Sequence, residues 1–286
     1  MDKKVALITG CSTGIGQEFA RQLNSLGWIV YATARRPETL KPLASEGNNT
    51  LGLDITNREQ IKSVVQEIIT SEKQIDLLIN NAGYGSMGPS VEITYDELAK
   101  QFDTNLFGAI ELIKEVVPVM KKIQSGMIVN IGSISGIAPT PFSGPYCASK
   151  AAVHAYSDVL RMELAPFGIK VITVQPGGIR TQFGANADKT VNEVLKDDSW
   201  YSPISEYVHQ RANTSQENAT PVETFVKNVL SKLLKKNPPS CIRTGSKSFI
   251  LPTIKRVLPE KLLDKILMKK YGLTYLSDRG FNKKPN

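Results

Sequence analysis

The chain is poor in the residues that build metal centres and disulfide scaffolds. Its 286 residues include only two histidines, three cysteines and two tryptophans. Cys11, Cys147 and Cys241 are odd in number and show no CxxC spacing, which argues against a disulfide framework and fits a reducing, cytoplasmic compartment. Cys11 and Cys147 are expected as small buried residues. His154 and His209 lie far apart with no cysteine cluster near either, so no metal site is expected. His154 is read as a helix-face residue and His209 as exposed. No run of about 18 apolar residues appears, so no spanning helix is expected. The start MDKKVALITG carries no secretory core or cleavage site, which leaves the Asn218-Ala-Thr220 sequon without context.

What is present is an ordinary globular composition, 41% hydrophobic and 22% charged, enough for one substantial core. The net charge of +8 is unevenly placed. From Cys241 onward there are eleven Lys and Arg against three acids, so residues 1–240 sum to zero. A basic balance confined to a tail gives the main body no nucleic-acid signature.

Over the first 180 residues, short apolar runs alternate with amphipathic stretches. That is the pattern of repeated βα units over a doubly wound parallel sheet, an α/β Rossmann arrangement in a single domain with a C-terminal helical extension. Strands are predicted at Val5–Thr9, Trp28–Ala34, Thr50–Asp54, Ile75–Asn80, Met127–Gly132 and Lys170–Gln175, and the first helix at 14–27. Their near-continuous apolar character implies a sheet covered on both faces. Thr56 with Glu59, and Thr94 with Glu97, match the capping box. The long segment 94–122 contains Gly108 and is expected to bend or break before Pro118. A helix over 221–236 and an edge strand in NPPSCIRTG follow. The division is therefore 1–245 for the nucleotide-binding unit and 246–286 for the extension.

Between the first strand and first helix lies TGCSTGIG, Thr9–Gly16. Glycines let a backbone turn sharply and approach a pyrophosphate, while the helix N-terminus supplies N–H groups and partial positive charge. Gln17 and Glu18 follow Gly16 where a P-loop has Lys and Ser/Thr, so this is not one. The second strand ends in Arg35 and Arg36 where a site for NAD has an acid. Guanidinium groups pair with a 2′-phosphate and cannot accept from a ribose hydroxyl, which favours NADP(H) over NAD(H), with Ser12 as a further donor.

Tyr146 and Lys150 stand four apart in YCASK and share a helix face. An ammonium about 5 Å from a phenol, at an effective dielectric of about 20, stabilises the phenolate by roughly 3 kcal/mol. That would lower the phenol from its usual value near 10 by about two units, into the range of a general acid/base. Ser133, at the end of the fifth predicted strand, both donates to and accepts from a substrate oxygen there.

With these residues the sequence resembles the short-chain dehydrogenase/reductase family over about residues 4–245. Thr9–Gly16 matches its TGxxxGxG and Asn80-Asn81-Ala82-Gly83 its NNAG. Within the family it is most similar to the 17β-hydroxysteroid and retinol dehydrogenase branch and to acyl-dihydroxyacetone-phosphate reductases. The resemblance implies a catalytic set of Asn105, Ser133, Tyr146 and Lys150, with Asn105 holding a water in a proton relay. It places the nucleotide on Gly10, Ser12, Thr13, Gly14, Ile15 and Gly16, on Arg35 and Arg36, and on Asp54 at the adenine. Asn81, Ala82, Gly83, Tyr146 and Lys150 line its cleft, and Pro176, Gly177, Ile179 and Thr181 its nicotinamide end. It also implies a homodimer.

The expected function is NADP(H)-preferring interconversion of a hydrophobic ketone or aldehyde and its alcohol. The alternative is a nucleotide-binding regulator or membrane-peripheral protein without turnover. Tyr84, Met87, Phe142, Phe183, Trp200, Tyr201, Ile204 and Tyr207 are candidates for an apolar substrate pocket. In the basic tail Leu262, Leu263, Ile266 and Leu267 are read as one helical face. That face suits an anionic membrane, the entrance for a lipid substrate, or docking on the protein's own core or a second copy.

Overall fold

The computed structural model describes residues 3–276. Seven strands form one parallel sheet: β1 (Val5–Ile8), β2 (Ile29–Ala34), β3 (Asn49–Gly52), β4 (Leu77–Asn80), β5 (Gly126–Ile131), β6 (Ile169–Pro176) and β9 (Cys241–Thr244). Their order is β3-β2-β1-β4-β5-β6-β9. The chain reverses direction across the sheet between β1 and β4, the switch point where open α/β sheets bind ligands. Two further short strands, β7 (Ile179–Arg180) and β8 (Thr220–Pro221), pair beyond this edge.

Strand alternation divides the core into two layers. Ala6 and Ile8 point to one side, where Phe19 and Leu23 of α1 (Gly14–Ser25) meet Phe225, Val229 and Leu233 of α9 (Val222–Leu233). Val5 and Leu7 point to the other, against α3 (Arg58–Glu72), α5 (Gly108–Lys122) and α6 (Gly144–Leu164). Each fully buried Leu or Phe there contributes roughly 2 kcal/mol. A short α2 (Lys41–Ser45) precedes β3.

Local signals were partly overruled. Thr94 and Glu97 form the predicted capping box at α4 (Tyr95–Phe102). Thr56 does not: its hydroxyl donates to Asp54, and Asn57 caps α3 by accepting from the N–H groups of Glu59 and Gln60. The long segment does not break before Pro118, which sits inside α5. Its irregularity is a π-helical turn at Asp103–Phe107, between α4 and α5.

After β7 the chain makes a run of helices. These are α7 (Phe183–Val194), α8 (Ser205–Asn213), and in the tail α10 (Ile250–Val257), α11 (Glu260–Lys270) and α12 (Leu273–Leu276). A third apolar cluster joins α7, α8 and Tyr271 to Met87, Phe142 and Tyr146, so the tail docks on the lobe covering one end of the sheet. The predicted four-residue face of α11 splits: Leu263 is buried and Leu267 packs beside it, while Leu262 and Ile266 are exposed. Residues i and i+1 of a helix lie 100° apart, and the layer under α11 is narrow enough to take Leu263 and Leu267 while leaving their neighbours outside.

Candidate active site

At the C-terminal edge of β1, the Thr9 hydroxyl accepts from the backbone N–H groups of Asn81 and Ala82, both at 3.0 Å. The Asn81 amide donates back to the carbonyls of Thr9 and Gly10 at 2.9 and 3.0 Å. The glycine turn is thereby tied to the loop after β4. Gly10 has φ +72, and a Cβ there would stand 2.8 Å from the Cα of Ala82, so only glycine fits. Beyond it, α1 begins with no acidic residue in its first turn and no side chain capping its N–H groups. Those donors face a cleft of about 590 Å³.

Of the predicted nucleotide residues, Gly10, Ser12, Thr13, Gly14, Ile15, Arg35, Arg36, Asp54, Asn81, Ala82 and Gly83 line this cleft. So do Tyr146, Lys150, Pro176, Gly177, Ile179 and Thr181. Gly16 does not line it; a side chain there would collide with the Gly10 carbonyl and the Asn81 amide, so its role is close packing of helix on turn. Arg35 and Arg36 are exposed and in no ion pair among the described residues. One Asp54 oxygen already holds the backbone and hydroxyl of Thr56. The free cations beside uncapped helix N–H groups suit a phosphorylated dinucleotide.

At the other end of the cleft, Tyr146 and Lys150 on α6 are both buried. The Ser133 hydroxyl lies near enough to the Tyr146 phenol to favour its ionised form. The Lys150 ammonium donates to the Ile131 carbonyl at 2.7 Å. Asn105 lies in the π-helical turn. Its amide accepts from Tyr84 N–H and donates to the Tyr84 carbonyl and the Ser149 hydroxyl, each at 3.0 Å. Asn105 and Ser133 do not line the large cleft. Asn105 instead lines a cavity of about 20 Å³ shared with Asn80, Asn130 and Lys150.

Electrostatics here correct the expected direction. The Tyr146 phenol is pushed up to about 12, not down, because burial dominates; Ser133 and the Arg211 guanidinium pull the other way. Lys150 is pushed down to about 8, again by burial. Two groups removed from water each resist charging, and the attraction expected between them contributes to neither shift.

The sequence profile of the short chain dehydrogenase family matches residues 4–192. The chain belongs to that family. It is 33% identical to the 3-ketodihydrosphingosine reductase of Bacteroides thetaiotaomicron, over 96% of this chain and 100% of the relative. It is 32% identical to the NADPH-dependent 1-acyldihydroxyacetone phosphate reductase of Saccharomyces cerevisiae, over 99% and 96%. A solved closed form of serine dehydrogenase complexed with NADP+ superposes with a TM-score of 0.73, at 27% identity over 84% of this chain and 94% of that one. The protein is thus an oxidoreductase of the short-chain dehydrogenase/reductase family.

Within this short-chain dehydrogenase fold, several residues near the site carried no sequence signal. His154 lies on α6 as expected, but it is half-buried and its Nε2 accepts from the Ser133 N–H at 3.3 Å. Burial and nearby Lys150 push it down to about 4, so it stays neutral. His209 is half-buried rather than exposed and meets Asp188 at 2.8 Å, bridging α8 to α7. Gln101, fully buried one turn before Asn105, clamps Tyr84 and Ser86. Arg211 is 7% exposed, has no carboxylate among the described residues, and donates to the hydroxyls of Thr140 and Ser143 at 2.7 and 3.1 Å. A polar residue within a helix's apolar stripe was the only available clue to Gln101.

The expected apolar pocket is mostly filled by its own members. Met87, Phe142 and Ile204 are buried against one another, Trp200 is 71% exposed, and only Tyr84 and Phe183 of that set line the cleft. Ser86, Gln182, Asn186, Thr190 and Gln216 line it beside them. Cys11 and Cys147 are buried as expected, whereas Cys241 is exposed.

Proposed function

We propose that the protein reduces a ketone on an amphiphilic lipid, with NADPH as hydride donor. The observation that carries this reading is that Tyr146, with Ser133 beside it, and Lys150 line the same cleft as Arg35 and Arg36. Its support is twofold. Relatives named as reductases of a ketosphingoid and of an acyldihydroxyacetone phosphate are a third identical along nearly their whole length. The cleft wall beside Tyr146 mixes Tyr84 and Phe183 with amides and hydroxyls, which suits a polar head attached to an apolar chain.

Bound NADPH supplies the hydride. The chain's own residues do the rest. The N–H groups opening α1 receive the pyrophosphate, and Arg35 and Arg36 the 2′-phosphate. Ser133 and Tyr146 donate hydrogen bonds to the substrate carbonyl oxygen. As negative charge develops on that oxygen, the Tyr146 hydroxyl transfers its proton to it. A phenol held near 12 remains protonated at neutral pH, the state required of a proton donor. Lys150, held near 8, is the adjacent reservoir. The 20 Å³ cavity beside it is sized for one water and is lined by Asn80, whose Oδ1 is buried with no partner. Asn105, Asn80 and Lys150 would hold a water there that carries the proton onward.

Nucleotide binding without turnover leaves the buried Ser133–Tyr146 contact without a purpose. The homodimer has a candidate face in Phe107, Val159 and Met162, all exposed beside α5 and on α6. The test is turnover of 3-ketodihydrosphingosine, acyldihydroxyacetone phosphate, steroid and retinoid substrates with NADPH and with NADH. At least one amphiphilic ketone should be reduced, with NADPH preferred. Tyr146→Phe should lose roughly 10²–10⁴-fold in kcat with NADPH binding retained in a fluorescence titration. Turnover surviving in that variant rejects the role of Tyr146, and reduction of the steroids or retinoids alone rejects the lipid class.

A further inference from the structure

The last two long helices have an inner and an outer face. Inward, Pro252 of α10 and Leu263 of α11 are buried, and Leu267 packs toward the lobe that holds Tyr146 and Tyr271. Outward, Ile250 and Val257, seven residues apart and therefore on one side of α10, are 59% and 72% exposed. Leu262 and Ile266 stand one turn apart on the outside of α11 at 46% and 48%, with Phe249 and Met268 also exposed. Single apolar side chains on a surface are ordinary. Six within one stretch of twenty residues, after the helices have already used their other face for packing, are not.

Charge indicates what covers them. Lys255, Arg256, Lys261, Lys265, Lys269 and Lys270 are all exposed on the same two helices, and none is in an ion pair among the described residues. Only Glu260 and Asp264 oppose them there. A two-fold contact with a second copy would bring these cations against themselves. A purely acidic protein surface would leave Phe249 and Val257 unused. An anionic leaflet satisfies both sets: acyl chains receive the apolar side chains while headgroups receive the ammonium and guanidinium groups. No helix among the described residues is long and apolar enough to cross the bilayer, so the contact is with one surface.

We propose that the outer face of α10 and α11 docks the enzyme on a membrane surface bearing anionic lipids. Leu267, on the inner face of α11, packs on the lobe that holds Tyr146, so docking places the substrate end of the cleft close to the lipid phase. The docking surface does not depend on the lipid-ketone reading; only its benefit to turnover does, and the two are scored separately.

The experiment is co-sedimentation of the full chain with vesicles of phosphatidylcholine alone or with added phosphatidylserine, at low and high salt. The protein should bind the phosphatidylserine vesicles and release them in salt, with little binding to phosphatidylcholine. A variant with Ile250→Ser, Val257→Ser and Ile266→Ser should lose vesicle binding while its NADPH affinity stays unchanged. Lys261→Glu with Lys265→Glu should weaken binding about fivefold or more per cation. Absence of binding to either vesicle overturns the proposal, as does equal binding to both. So does a self-association, seen by analytical ultracentrifugation, that the three serine substitutions abolish while vesicle binding persists.

Discussion

Replacing Lys150 with Met should make the cofactor-free protein more stable while abolishing turnover. The ammonium is fully buried and its pKa falls from 10.5 to about 8, with burial as the cause. A fall of about 2.5 units means the folded state opposes the charged form by about 3 kcal/mol. Below pH 8 both folded and unfolded states carry the proton, so the whole cost is present. Between pH 8 and 10.5 the unfolded chain holds more protons than the folded one, and stability rises with pH. Above 10.5 the cost is gone. Methionine removes it at every pH but leaves the Ile131 carbonyl without the 2.7 Å hydrogen bond, a loss of about 1 kcal/mol. Lys150→Met should therefore be about 2 kcal/mol more stable than the parent at pH 7, and the advantage should vanish or reverse by about pH 10. Urea denaturation of both proteins at the two pH values measures it, and the pairwise difference cancels other titrating groups. A variant less stable at pH 7, or a difference flat with pH, would refute the reasoning.

Three further outcomes follow from the same geometry. Arg35→Ala should raise KM for NADPH roughly ten- to hundredfold, the worth of a charge-assisted contact, and leave NADH use unchanged; a parallel loss for both cofactors would remove Arg35 from the 2′-phosphate. Because His154 is pushed down to about 4, activity should show no histidine limb between pH 5 and 8. His154→Leu should lower kcat roughly tenfold through Ser133 with KM little changed, and a limb near pH 6.5 that disappears in this variant would contradict its neutrality. Arg211→Met removes a cation that lowers the Tyr146 pKa, so the pH limb for alcohol oxidation should move upward; an unmoved limb would place Arg211 in a purely structural role.

Much of the site was legible because its parts are local in sequence. The glycine turn, the Asn81 loop and the Tyr146–Lys150 pair are each specified within a few residues, and all but Cys11 and Gly16 reach the cleft or its neighbouring cavity. Where a motif had competing local partners, reading failed: Thr56 turned to Asp54 and left the cap to Asn57. Gln101 and Arg211 escaped notice, and His154 was read only as a helix-face residue, because their meaning lies in contacts that span long stretches of chain, with Ser86, Thr140 and Ser133. Nothing near them in sequence marks a buried polar group as satisfied from afar.

By itself the order of residues determined a parallel sheet, the glycine turn after its first strand, the two arginines after its second, and the Tyr146 hydroxyl one helical turn before Lys150. Periodicity and short-range spacing encode all of these directly. Tertiary structure alone decided the balance of charge at that hydroxyl, since burial depends on how much of the lobe closes over α6 and not on the four-residue step to Lys150. It also decided which half of α11 is hidden. A helix offers several apolar stripes, and only the surface it meets selects the one that leaves water.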